Sequence, residues 1–283
     1  MIRHQIGLLR VTGTVRKRIL AILDATERDI ADQIRRRLPS SGAVSTARLN
    51  TLLKSVAAIR NAAWLKAAEA WREELLAIGK AEPAFIAQAL RTVSPVQLDL
   101  LLPAADLLRA VVLSRPFEGK VLSAWAKDIA RYDINRIEQE IQIGVTQGEP
   151  PNRIARRIVG TVRQKGRNGV TEITRRQAAA ITRTAVISIT NQAKREFYNA
   201  NADLFTEELY VATLDNRTTP ICRSLDGTRH PVGKGPIPPL HFNCRSLRVA
   251  LLSGDALGNR PARNFTEQEL IREYNRANGT KAA

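Results

Sequence analysis

Residues 209–248 read LYVATLDNRTTPICRSLDGTRHPVGKGPIPPLHFNCRSLR. Upstream of this stretch, apolar residues recur every three to four positions, the period of a helix with one buried face. From Glu208 to Leu214 they alternate instead, as in a half-buried strand, and a second alternating run spans Arg245 to Leu252. Between the two runs, the prolines and glycines of Gly227–Cys244 confine the backbone to turns and extended segments. The expected fold class is predominantly α with a small C-terminal α+β unit. Multi-helix N-terminal and central regions lead into a short strand pair around a Cys/His loop, and no helix is expected directly after Asn243.

The same stretch concentrates the chain's ligand chemistry. Both cysteines and two of the three histidines of the 283 residues fall between Cys222 and Cys244. Cys222, His230, His241 and Cys244 could together form a tetrahedral zinc site, the two-residue gap of His241-Phe-Asn-Cys244 suiting two ligands on one ion. The residue three before Cys222 is Thr219, so the second ligand of a Cys-x-x-Cys pair is missing. Three readings stay open: a structural zinc ion, a Cys222–Cys244 disulfide, or two small buried thiols with hydrogen-bonded histidines. Each pins the strand pair locally. Asp215, Arg217, Asp226 and Gly227 read as turn formers, with Arg217 expected to fork onto Asp226 or onto carbonyls of the proline-rich loop. His230, His241, Asn243 and Asp226 are also residue types used by metal-dependent nucleases of the His-Asn-His kind, where a histidine activates water. That chemistry needs a strand-and-helix unit, which this stretch does not announce.

Nearer the N-terminus, Ile19, Leu20, Leu23, Ile30, Ile34 and Leu38 mark one helix ending at Pro39. A second runs from Ser45 or Thr46 to Ile78, with Gly79 as its stop, and carries Trp64 and Trp71 on one core-facing side. Shorter helices are expected over Pro83–Val93 and Val96–Ser114. A longer one follows over Gly119–Gln147, with Ile129, Ile137, Ile141 and Val145 spaced close to four. Asn152–Gln164 and Glu172–Asn199 form two more, joined by a Lys-Gly-Arg-Asn-Gly loop, and a capping box at Thr266–Glu269 opens a last helix, Glu267–Ala277. The boundaries drawn from these shifts are an N-terminal helical region (1–115), a central basic helical region (116–205), the β/loop Cys-His unit (206–255) and a C-terminal helix and tail (256–283).

Charge supplies a second signal. Against 27 Asp+Glu stand 44 Lys+Arg, a net charge of +17 with pI near 10.8. More than half of that excess lies in Pro151–Ala200, where eleven cations face only Glu172 and Glu196. Ordinary helix faces mix signs, so phosphate contact is the favoured reading for Arg153, Arg156, Arg157, Arg163, Lys165, Arg167, Arg175 and Arg176. No base-reading motif accompanies them, and binding to DNA is expected to be sequence-independent. The N-terminus lacks the uninterrupted apolar core of a signal peptide, and no apolar run approaches the roughly 20 residues that cross a bilayer. A soluble protein made in the cytoplasm, without a membrane partner, is expected. Two cysteines are too few for a secreted disulfide scaffold.

The runs LYVATLDNRTTPICRSLDGTRH and GPIPPLHFNCRS resemble the signature of the phage head morphogenesis family named for the F protein of phage Mu. In that family a strand leads into an Asp-x-Arg-Thr turn, a cysteine and a Leu-Asp-Gly turn, and a Pro-Pro-x-His-x-Asn-Cys-Arg segment closes the unit. Asp215, Arg217, Thr218, Cys222, Leu225, Asp226 and Gly227 match the first part; Pro238, Pro239, His241, Asn243, Cys244 and Arg245 match the second. Arg183 and Thr184 match the Arg-Thr pair of the preceding helix. Thr219 and Ser246 stand where many members carry further cysteines. The resemblance implies a minor head protein of a tailed phage, made in the host cytoplasm and carried in the virion. It would lie inside the head near the portal, with the portal protein, other head proteins and packaged double-stranded DNA as partners. The implied role is head assembly or genome delivery rather than catalysis, with no catalytic residues assigned. The alternative is the metal-dependent nuclease, which predicts nicking that disappears in His241→Ala.

Overall fold

The helical period upstream of residue 201 produces helices throughout, but they are cut at different places from those the local signals suggest. In a computed structural model, which describes residues 2–94 and 98–252, the elements are α1 (Ile2–Asp24), α2 (Glu27–Arg37), α3 (Thr46–Val93), α4 (Ala105–Ser114), α5 (Leu122–Thr146), α6 (Pro151–Val159), a 3-10 turn (Val162–Gln164), α7 (Thr171–Ala200), β1 (Phe205–Val211), α8 (Pro220–Leu225), β2 (Arg229–Pro231) and β3 (Leu247–Leu252). The helix expected over Glu267–Ala277 and its capping box lie outside the described residues, as does the start of the one expected from Val96.

The first expected helix is two. The chain breaks at Ala25-Thr26, where the guanidinium of Arg60 donates to Leu23 O and to Thr26 Oγ1, both at 2.9 Å. The Thr26 hydroxyl and N–H also donate to Leu23 O, so local bonds and a buried side chain from α3 together satisfy the carbonyl at the break without a glycine or proline. Conversely, the two helices expected on either side of Gly79 are one of 48 residues, α3, running through both Gly79 and Pro83. Gly79 is a packing position: a Cβ there would lie 3.1 Å from Val112 Cγ2 and 3.3 Å from Ile189 Cγ2, so its bareness lets α4 and α7 close on α3. Pro83 removes one helical hydrogen bond, and burial of Ile86 and Ala87 beyond it holds the helix on course. Gly79→Val is expected to cost about 1–3 kcal/mol by overpacking this contact. A thermal melt superimposing on that of the wild type would contradict it.

The main core lies between α1, α3, α4, α5 and α7, with Ile19, Trp71, Val112, Ile129 and Ala185 among its members. Residues from both the 1–115 and the 116–205 stretches contribute to it. Trp64 and Trp71 stand in it with ring centroids 6.1 Å apart, their indole N–H groups donating to Asp133 and Thr182. A second cluster joins α2, the first turns of α3, the end of α5 and α6 through Ile34, Leu52, Ile141, Ile154 and Ile158.

The sheet is three-stranded and antiparallel in the order β2-β1-β3, rather than a strand pair. The added strand, Arg229–Pro231, is too short to show alternation. An irregularity between Phe205 and Glu207 shifts the register of β1, so that Phe205, Glu208 and Tyr210 are all buried.

Candidate functional site

The loop between the strands folds into a clasp around both cysteines. Pro220 opens α8 at its first helical position, where a missing N–H costs nothing, and places Cys222 two residues on at 2% exposure. From the other side, the turn His241–Cys244 closes with the Cys244 N–H donating to His241 O at 3.1 Å, and Asn243 sits at φ +62°. Cys222 Sγ then lies 3.2 Å from His241 Nε2 and 3.8 Å from Cys244 Sγ, with both thiols free. Thr219 Oγ1 stands 2.9 Å from the same Nε2. His241 Nδ1 is 2.8 Å from Phe242 O. A carbonyl can only accept, so the proton of the neutral ring sits on Nδ1 and the Nε2 lone pair faces the sulfurs.

Burial opposes ionisation of the Cys222 thiol, but hydrogen bonds led by Ser246 and Tyr210 outweigh it and pull the thiol down to about 6. Burial pushes the Cys244 thiol up. The two sulfurs therefore differ in character, one inclined to thiolate and the other to thiol.

Of the four expected ligands, three converge: Cys222, His241 and Cys244 hold their donor atoms within 4.8 Å of one another. His230 is elsewhere. It pairs with Glu208 across the β1–β2 ladder, its Nε2 is 2.9 Å from Thr228 Oγ1, and its ring packs so closely on Gly235 that a Cβ there would meet Nδ1 at 2.5 Å. The Thr219 hydroxyl, not a His230 nitrogen, stands beside these three. The two histidines thus turn to different partners, and the paired histidines of a His-Asn-His nuclease are not brought together.

The turn residues brace the clasp. Asp215 Oδ1 accepts the Arg217 backbone N–H at 2.8 Å, and Asp226 Oδ1 accepts that of Ala212 at 2.8 Å. Gly227 takes φ +78°, a conformation open to glycine. The expected fork from Arg217 onto Asp226 does not form. Arg245 instead grips Asp215 with both terminal nitrogens, at 2.5 and 2.6 Å, while the Arg217 side chain remains 74% exposed. That grip, with the Arg217 amide, holds the Asp215 carboxyl well below the usual carboxylate range. The whole unit docks on α7, where Arg183 Nη1 donates to Asn243 Oδ1 at 2.6 Å and Thr184 Oγ1 accepts the Asn243 N–H at 3.0 Å.

The eight basic candidates separate into two groups. Arg157 is engaged by Glu140 and Glu149 at 2.5 and 3.0 Å, bracing α6 against α5. Arg175 reaches Asp24 and Glu27 at 2.8 and 2.6 Å, tying α7 to the α1–α2 junction. Both are internal braces. Arg153 and Arg176 pair within their own turns with Glu149 and Glu172 yet stay 66% and 75% exposed. Arg156, Arg163, Lys165 and Arg167 are exposed on α6 and the loop that follows. That loop has a fixed shape: Asn168 Oδ1 accepts the Thr161 N–H at 2.9 Å, and Gly160 packs so tightly on Gly169 that a Cβ at Gly169 would fall 2.3 Å from Gly160 N.

The fold is a helical body carrying a small clasped sheet docked on its central helix. Residues 135–248 match the family described as Phage Mu protein F like protein, less than half of the chain but all of the clasp, α6 and α7. That match supports, over this segment, the resemblance to the phage head morphogenesis family. No curated protein and no solved structure matches the chain. Among the described residues, no helix is long and apolar enough to cross a membrane.

Proposed function

We propose that the protein is a minor head component of a tailed phage, positioned inside the head near the portal. There it binds packaged double-stranded DNA without sequence preference and acts in head assembly or genome delivery. The observation that carries the reading is the conjunction of the Mu F-like segment with an exposed, acid-poor basic surface on α6 and its loop, inside that same segment. Arginine forks suit phosphate oxygens, and the loop's fixed backbone holds them in place before contact. Protein composition of purified procapsids and virions tests the location: the chain should be present in both and should cross-link to the portal protein. Absence from procapsids and virions alike overturns the reading.

The clasp is proposed to hold a structural zinc ion through Cys222, His241 and Cys244, with the Thr219 hydroxyl or a water at the fourth corner. Two thiolates on a tetrahedral zinc, each about 2.3 Å from the metal, lie about 3.8 Å apart, and the observed sulfur separation is 3.8 Å. The contact of His241 Nδ1 with Phe242 O is the second interaction that orients a metal-binding imidazole. Protein purified under reducing conditions should carry about one equivalent of zinc, retained in His230→Ala and lost in Cys244→Ser. Less than about half an equivalent in the wild type would favour the disulfide or the plain thiol pair.

A further inference from the structure

Residues 33–68, between Asp32 and Glu69, and residues 150–171, between Glu149 and Glu172, each contain cations and no acid. They are more than eighty residues apart in sequence, and the fold lays them side by side. Ile34 and Leu38 of α2 pack with Leu52 of α3 and with Ile154 and Ile158 of α6 in one apolar cluster. On the rim, Arg35 Nε donates to Asn152 Oδ1 at 3.0 Å. The last turn of α2 therefore carries Arg35, Arg36 and Arg37 alongside the α6 turn that carries Arg153 and Arg156.

Beyond α2, Arg36 and Arg37 meet Arg48 of α3 around an open cleft of about 480 Å³, whose remaining walls include Pro39 and Thr51. Arg36 and Arg48 are exposed, and Arg37 leans on Gln33 through a hydrogen bond of 2.7 Å. Of the acids on α2, Asp32 pairs with Arg35, Glu27 is turned inward to Arg175 and Thr171, and Asp29 is exposed near the start of the helix. Arginines in the last turn of a helix answer its dipole. That accounts for the last turn of α2 but not for Arg48, which stands in the first turn of α3, where the dipole favours the opposite sign.

We infer that this arginine cleft is a second phosphate-binding element, which with α6 and its loop forms one continuous face for the backbone of duplex DNA. The inference rests on the DNA-binding reading above and adds to it a surface from outside the Mu F-like segment. Duplex DNA is the fitting occupant because its charges are closely and regularly spaced along two strands, so cations on separate helices of one face each find a phosphate. Guanidinium groups, which make up all three cleft cations, fork onto phosphate oxygens.

The test is salt-titrated binding to a mixed-sequence duplex by the full chain, by Arg36→Gln/Arg37→Gln/Arg48→Gln, and by Arg156→Gln/Arg163→Gln/Lys165→Gln/Arg167→Gln. Each lost phosphate contact should lower the slope of log K against log salt by about 0.9. The cleft variant is expected to lose about 2–3 in slope, equally on duplexes of unrelated sequence. The exposed single variants Arg36→Gln and Arg48→Gln should each lose about 1, which keeps the test open if the triple variant fails to fold. A cleft variant that matches a DNA-binding wild type overturns this inference alone. A wild type without affinity for DNA overturns the DNA reading with it, and retention by the cleft variant of DNA binding but not of poly-glutamate binding would assign the cleft to an acidic protein instead.

Discussion

Asp133→Ala is expected to destabilise the protein by about 3–5 kcal/mol, the cost of stranding a buried charge. Asp133 lies fully buried on α5, and its Oδ2 accepts from Arg60 Nε at 2.7 Å, Arg60 Nη2 at 2.6 Å and Trp64 Nε1 at 2.8 Å. Its Oδ1 accepts from Thr174 Oγ1 at 2.7 Å. One carboxylate thereby joins α3, α5 and α7, and through Arg60 it supports the α1–α2 break. Alanine would leave the Arg60 side chain, 2% exposed, without its counter-charge, and Trp64 and Thr174 without acceptors. Replacing both charged residues, as Arg60→Met with Asp133→Leu, should recover much of the loss, because the pair's desolvation cost disappears with it. Urea midpoints measure both effects. A loss below about 1 kcal/mol for Asp133→Ala would show that the network carries little of the fold.

Neutralising Arg156, Arg163, Lys165 and Arg167 together is expected to weaken DNA binding by about 10²–10³-fold near physiological salt, if each meets one phosphate. All four side chains are exposed, so the folded state should tolerate the change. Neutralising Arg157 or Arg175 should act differently. These two are spent on Glu140 and Glu149, and on Asp24 and Glu27, so their loss should lower stability before it lowers affinity. Fluorescence anisotropy on a labelled duplex, with a thermal melt on each variant, separates the two classes. Equal effects on affinity from all six would remove the distinction between braces and contacts.

The helical class and both main strands were legible because side-chain periodicity survives in sequence whatever packs against it. The helix ends were less so. Gly79 and Pro83 carry stop signals that burial on α4 and α7 overrides, and the break after Asp24 has no glycine or proline to announce it because its support comes from Thr26 and from Arg60 on another helix. The Asp133 network did leave a trace. In the ladder Ile129, Ile137, Ile141 the missing rung is position 133, and an aspartate on an apolar face requires a partner.

In the site, clustering of Cys and His pointed to the clasp, but spacing alone cannot tell on which side of a short strand His230 emerges. The excess of arginine in Pro151–Ala200 was plain. That Arg175 is a brace depended on Asp24 and Glu27, about 150 residues away in sequence. For the same reason, residues 33–68 carry an acid-free run whose meaning appears only when α2 lies against α6.

The proposed role requires a polyanion-binding face presented to packaged DNA. The most direct measurement is the affinity of the full chain for duplexes of unrelated sequence between 50 and 200 mM salt. With 6–10 phosphates engaged, affinity should fall by about 10³–10⁵-fold over that range and be the same for each sequence. Affinity that is absent at the lowest salt, or unchanged across the range, would contradict the account.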